Sequence, residues 1–202
     1  QLAASTDWWC RNLRLARSRP IPWKLEARRL VVTYSDGEGS DAGVGVAIWS
    51  NCLREPEAGR MNVPPSIRRL WSLQKSRSLD ELYDIQEIEG IGPLIALTTW
   101  TEVLRGSLWM HFIDNNGALA SLVKGGSSVL STDVVGMTWH VISKLDVIPW
   151  FDRVATKSNP VDGLSRGDAR GPWLQTELSF PGASLSAELR RAKRFSPSWP
   201  VG

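Results

Sequence analysis

The chain is poor in the residues that build covalent or transition-metal scaffolds. Its 202 residues include only two cysteines, Cys10 and Cys52, and two histidines, His111 and His140. Two cysteines so far apart form neither a disulfide framework nor a zinc-ligand spacing, which points to a reduced, intracellular protein, with cytoplasm and nucleus both open. No apolar run approaches the roughly 18 residues of a membrane span, so no membrane partner is expected. No GxGxxG follows a strand and no P-loop is present, which leaves nucleotide cofactors without support. No signal peptide is visible, and the first residue is Gln rather than Met, as in a piece of a longer chain. Tyr and Phe are also scarce, at 2 and 4, against 11 Trp. Trp suits cores and interfaces, and also surfaces on which bases stack.

Charge is distributed unevenly. The net charge is +3. Basic residues gather near the ends, at Arg11, Arg14, Arg17, Arg19, Lys24, Arg28 and Arg29, and again at Arg190, Arg191, Lys193 and Arg194. The acidic residues of most interest lie between them. Basic flanks around an acidic centre suit a polyanion held by its backbone with cations in the middle.

The stretch that organises the rest is Leu30–Gly37, LVVTYSDG. Its β-branched run predicts a buried strand, Leu30–Asp36, that ends with a carboxylate at the sheet rim. Gly43–Ser50 reads as a second strand and makes a hairpin with the first. A third, edge strand is expected around Arg60–Val63, stopped by Pro64 and Pro65. Ser66–Ser76 follows as a short helix. Leu79–Arg105 has the strongest helical periodicity, interrupted by Gly90, Gly92 and Pro93, with Pro93 marking a kink or the true start and Gly106 the stop. Leu108–Asp114 is another strand that ends in an aspartate. Helices over Ala118–Lys124 and Leu130–Leu145 and a strand over Asp146–Thr156 complete the order. The layout is α/β with an antiparallel hairpin at its start, which argues against a pure Rossmann winding. Residues 1–29 form a separate opening, with an amphipathic helix at about Thr6–Arg17 whose apolar side needs something to pack on. Residues 168–202 read as a loosely attached tail or linker.

Asp36 and Asp114 end strands, Glu89 lies on the long helical stretch, and Asp162 starts the final helix after Asn159-Pro160. Several carboxylates without His or Cys companions favour Mg²⁺ or Mn²⁺ over Zn²⁺. Two such ions about 3.5–4 Å apart can clamp the attacking and leaving oxygens of a phosphodiester. Glu87 is a rival to Glu89, and Glu38 and Asp41 compete near the first strand.

Taken together, YSDG, IQEIEGIGPLIALTTW, HFIDNNGAL and SNPVDGLSRG resemble the type 1 ribonuclease H domain of retrotransposon reverse transcriptases, over about Leu30–Gly167. The resemblance implies an RNase H-like fold, a five-stranded mixed sheet flanked by helices. It implies two-metal cleavage of the RNA strand of RNA–DNA hybrids, with Asp36, Glu89, Asp114 and Asp162 as metal ligands and catalytic residues. It also implies that residues 1–29 link from a polymerase domain of the same polyprotein. Asn115, Asn116, Ser127, Ser128, Lys157 and Asn159 are expected near the substrate. The sequence departs from the family in its Gly- and Pro-rich Glu89 segment, in having no His over Trp150–Val161, and in lacking an evident basic substrate-handling helix. His111 and His140 read as structural. A catalytically inactive module that binds nucleic acid or braces a polymerase is the second reading, and a transposase-integrase or exonuclease relative the third.

Overall fold

The computed structural model describes residues 28–75, 85–125 and 132–180. The elements run β1 (Leu30–Glu38), β2 (Gly43–Ser50), β3 (Glu57–Asn62), α1 (Pro65–Lys75), α2 (Ile85–Gly90), α3 (Gly92–Thr99), α4 (Thr101–Leu104), β4 (Leu108–Ile113), α5 (Asn116–Lys124), α6 (Thr132–Lys144), β5 (Ile148–Arg153), a 3₁₀ turn (Thr156–Ser158), α7 (Asp162–Ser165) and β6 (Leu174–Gln175). They form an α/β fold around one mixed sheet of six strands, ordered β5-β4-β1-β2-β3-β6. β1, β2 and β3 are antiparallel neighbours, whereas β4 runs parallel to β1, β5 to β4 and β6 to β3.

The strand count corrects the five expected from sequence. Leu174–Gln175 adds a short sixth strand outside β3, so β3 is not the edge. The described part of the expected tail is also docked. Thr176 N–H donates to the Ala58 carbonyl at 2.8 Å, Thr98 Oγ1 donates to the Ser179 carbonyl at 2.8 Å, and Leu178 is buried in the main core. Two residues of strand carry too little periodicity to read from sequence; the backbone pairing with β3 makes them a strand. Residues 181–202 lie outside the described residues, as do the expected helix at about Thr6–Arg17 and the GGSS stretch that holds Ser127 and Ser128.

Alternation along the strands sends Val31, Thr33 and Ser35 of β1, Val44, Val46 and Ile48 of β2, and Trp109, His111 and Ile113 of β4 to one buried face. Apolar residues of the helices cover that face, among them Ile67, Trp71, Ile88, Ile91, Leu94, Ile95, Leu97, Leu104, Val134 and Ile142. Polar residues within it are paired. Trp109 Nε1 donates to Thr33 Oγ1 at 2.7 Å, Thr33 Oγ1 lies 2.6 Å from His111 Nδ1, and Ser35 Oγ lies 3.0 Å from His111 Nε2. Full burial lowers the His111 pKa to about 3, so the ring is neutral and structural.

The long helical stretch is broken into α2, α3 and α4. Pro93 sits in the first turn of α3, where its missing N–H costs nothing. Gly92 is there for contact: a Cβ would stand 2.3 Å from Ser35 Oγ, so only glycine lets α3 lie this close to β1. Gly106, at φ +66°, turns the chain out of α4 into β4. Among the described residues, no helix is long and apolar enough to cross a membrane.

Candidate active site

The four carboxylates arrive from four elements. β1 and β4 pair in parallel with Tyr34 beside Phe112. Two residues further along each chain stand Asp36 and Asp114, so the parallel register carries both to the same end of the sheet. Glu89 comes from α2, which rests on β1 so closely that a Cβ on Gly37 would lie 2.7 Å from Glu89 Cγ. Asp162 opens α7, whose apolar side (Val161 and Leu164) packs on Ala47 and Ala58.

Bridging groups bind these elements together. Ser165 Oγ donates to Asp36 Oδ2 and lies 2.9 Å from the Asp162 carbonyl, so one hydroxyl links β1 to α7. Asn159 is buried; its Nδ2 donates to the Ser35 carbonyl at 3.1 Å and its Oδ1 accepts from Val161 N–H at 3.3 Å. Arg60 on β3 donates from Nε to the Ser165 carbonyl at 2.9 Å and pairs with Asp41. Asn115 caps α5, its Oδ1 accepting from the N–H groups of Gly117 at 2.7 Å and Ala118 at 3.0 Å. The Asn115 amide also stands close enough to Glu89 to favour its charged form.

Electrostatics shows which carboxylates feel one another. Asp36 is 3 % exposed and Glu89 7 %. Burial pushes the Asp36 pKa up to about 7, the Ser165 hydroxyl opposes the shift, and the nearby charges of Asp114 and Asp162 add to it. Burial likewise raises Glu89 to about 8; the Asn115 amide opposes this, and Asp114 and Asp36 add to it. Asp162 is half-buried and accepts at Oδ1 from Arg166 at 3.1 Å, an exposed i,i+4 pair. Asp36 is therefore coupled to Asp114, Asp162 and Glu89, and Glu89 to Asp114. Among the described residues, no three His, Cys, Asp or Glu stand grouped as a metal cage. The association is one of pairwise coupling. Two buried oxygens in it, Asp114 Oδ1 and Glu89 Oε2, have no hydrogen-bond partner.

The rival acids occupy other places. Glu38 accepts from Ser40 and Asp41 in the β1–β2 turn, and Asp41 accepts from Arg60 and Asn62. Glu87 is fully buried on α2. Of the residues expected near the substrate, Asn116 and Lys157 are exposed, Asn115 and Asn159 are engaged in the bonds above, and Ser127 lies outside the described residues. Ser165 is the site residue that sequence reasoning did not single out. Its signal was its position, three residues after Asp162 and thus one helical turn further along α7.

No family model matches the chain, and no curated protein matches it.

Proposed function

We propose that this chain is an RNase H-like, metal-dependent endonuclease that hydrolyses the RNA strand of RNA–DNA hybrids, as part of a retroelement reverse transcriptase. The observation that carries the reading is the meeting of four acid-bearing elements at one end of a mixed sheet: the parallel β1–β4 register takes Asp36 and Asp114 to the same end, Glu89 lies against Gly37, and Ser165 joins Asp36 to the Asp162 backbone. The strand plan, an antiparallel β1–β2–β3 meander extended by parallel β4 and β5, is compatible with that fold. The motifs that resemble the reverse-transcriptase domain fall on the same four elements.

The residues fit a hard divalent cation. Asp114 Oδ1 and Glu89 Oε2 are buried acceptors without donors, and carboxylate oxygen is what Mg²⁺ or Mn²⁺ selects. Asp36, Glu89, Asp114 and Asp162 would hold two ions. When bound, such ions lower the pKa of an attacking water and stabilise charge on the departing 3′ oxygen. The chain's own groups prepare the carboxylates. Ser165 orients Asp36, and Asn115 fixes the start of α5 beside Glu89, where its amide favours the charged carboxylate. Asn159 ties the α7 approach to β1. Arg166 balances Asp162 and is exposed enough to meet a phosphate. Choice of RNA over DNA rests on the 2′-hydroxyl along the minor groove, with Asn116 and Lys157 the exposed side chains of the set named above.

Asp114→Asn tests the reading. It keeps the shape and hydrogen-bonding capacity of the side chain and removes its charge. Mg²⁺-dependent cleavage of a hybrid is expected to fall by at least about a hundredfold, with the thermal transition kept. Parent-like turnover in the variant contradicts the assignment. Hybrid binding by the parent without cleavage in Mg²⁺ or Mn²⁺ replaces it with the inactive binding-module reading.

A further inference from the structure

The β1–β4 ladder runs from Leu30–Leu108 to Tyr34–Phe112 and stops two residues short of Asp36 and Asp114. Pairing with Gly45 of β2 holds Asp36 along the other edge of β1, away from Asp114. A side chain ties β1 to β4 where the ladder ends. His111 is fully buried on β4, three residues before Asp114. Its Nδ1 stands 2.6 Å from Thr33 Oγ1 and its Nε2 stands 3.0 Å from Ser35 Oγ. The ring therefore spans two successive inward positions of β1. Its second bond falls one residue beyond the last ladder pair, next to Asp36.

The hydrogens along this chain of groups run one way. Trp109 Nε1 can only donate, and it donates to Thr33 Oγ1 at 2.7 Å. The hydroxyl's own hydrogen is then left for His111 Nδ1, and 2.6 Å is short for an N–H donor. Nε2 carries the ring hydrogen and gives it to Ser35 Oγ at 3.0 Å, the usual length for an N–H donor. Ser35 is held on two more sides. Its carbonyl accepts from Asn159 Nδ2 at 3.1 Å, and a Cβ on Gly92 would stand 2.3 Å from Ser35 Oγ. Trp109, Thr33, His111 and Ser35 are all fully buried, where such bonds are stronger than in water and a lost partner is costly.

We infer that this structural ring is also a positioning residue: through its Nε2–H, His111 holds Ser35 and so sets the spacing of Asp36 from Asp114 for a shared divalent cation, an assignment that rests on the metal-dependent reading above. Residues that orient metal ligands from behind act in this way.

Two measurements test it. Long-range ¹H–¹⁵N spectra of ¹⁵N-histidine-labelled protein read the tautomer, and His111→Asn tells the chain's two histidines apart. The Nε2–H form is expected at His111. The second measurement compares the Mg²⁺ concentration for half-maximal hybrid cleavage, and Mn²⁺ affinity by electron paramagnetic resonance without substrate, in parent, Ser35→Ala, His111→Asn and His111→Gln. Ser35→Ala, and His111→Asn, which can meet Thr33 but is too short for Ser35, are expected to raise the Mg²⁺ requirement by about tenfold. His111→Gln, long enough to reach Ser35, is expected to recover part of that. The Nδ1–H tautomer overturns the inference. So does a cleaving parent whose Mg²⁺ requirement is kept by folded Ser35→Ala, and that result leaves the nuclease reading standing. If His111→Asn does not fold, Ser35→Ala decides. A parent that binds Mn²⁺ without cleaving is judged by the Mn²⁺ affinities of the same variants. A parent that neither binds Mn²⁺ nor cleaves overturns the nuclease reading and this inference with it.

Discussion

At the scale of single residues, the two raised carboxyls make a prediction about stability whose sign runs against the usual carboxylate. Asp36 goes from an ordinary 3.8 to about 7 and Glu89 from 4.5 to about 8 on folding. Each then holds a proton in the folded chain over a range where the unfolded chain has lost it. Without divalent cations, their contribution is greatest at low pH and falls as pH rises from about 4 to about 8. Thermal unfolding in EDTA should show Asp36→Asn more stable than the parent at pH 8, with the difference shrinking toward pH 4. Mg²⁺ should raise the parent's transition and leave the variant's nearly unmoved. A variant less stable than the parent at pH 8 in EDTA would show that Asp36 is not a costly buried charge. His111 contributes in the opposite direction: its lowered pKa, about 3, favours the folded state above the unfolded value near 6.5 and loses that advantage as pH falls. Ser165→Ala removes the hydroxyl between Asp36 and the Asp162 carbonyl. Its expected cost is about 1–3 kcal/mol in denaturant unfolding, because a buried acceptor loses its donor. Cleavage should fall more than that loss of stability explains, with Ser165→Thr restoring part of it.

At the scale of elements, the site depends on how closely α2 rests on β1. Gly37→Ala places a methyl group against the Glu89 backbone and Cγ. Overpacking of this kind costs about 1–3 kcal/mol. The larger effect is expected on hybrid cleavage, because Glu89 must move, and on the Mg²⁺ concentration required. Unchanged cleavage with unchanged Mg²⁺ dependence would show that this approach does not set the site. The hairpin, the strand over LWMHFI, the helices flanking it and the strand over IPWFDR were legible because β-branched and aromatic runs and helical spacing are local signals. The break in the Leu79–Arg105 stretch was half legible: Pro93 announced a boundary, but the reason for Gly92 is its contact with Ser35, a residue 57 positions away. β6 was not legible, since its two residues are a strand only through the Glu57 and Ala58 backbone. Of the candidate site, Asp36, Asp114 and Asp162 stood out in the sequence as acids at element ends, and Glu89 as an acid on the long helical stretch beside its rival Glu87. The links through Ser165, Asn115 and Asn159 did not, because each depends on an approach between distant segments.

At the scale of the whole molecule, one sheet end gathers four carboxylates, with Arg60 and Arg166 beside them, while most basic clusters lie toward the ends of the sequence. That distribution expects hybrid binding to weaken steeply with salt, as phosphate contacts release counterions. It also expects the acidic centre to stay poorly suited to nucleic acid until cations neutralise it. The most direct test of this account is cleavage of a duplex carrying a labelled RNA strand paired to DNA, in Mg²⁺ and in EDTA, beside double-stranded DNA and single-stranded RNA, with Asp36→Asn as the control. The expected result is loss of the RNA strand of the hybrid alone, only with the cation, and only by the parent chain. Cleavage that persists in EDTA or in Asp36→Asn, or that takes double-stranded DNA equally well, contradicts it.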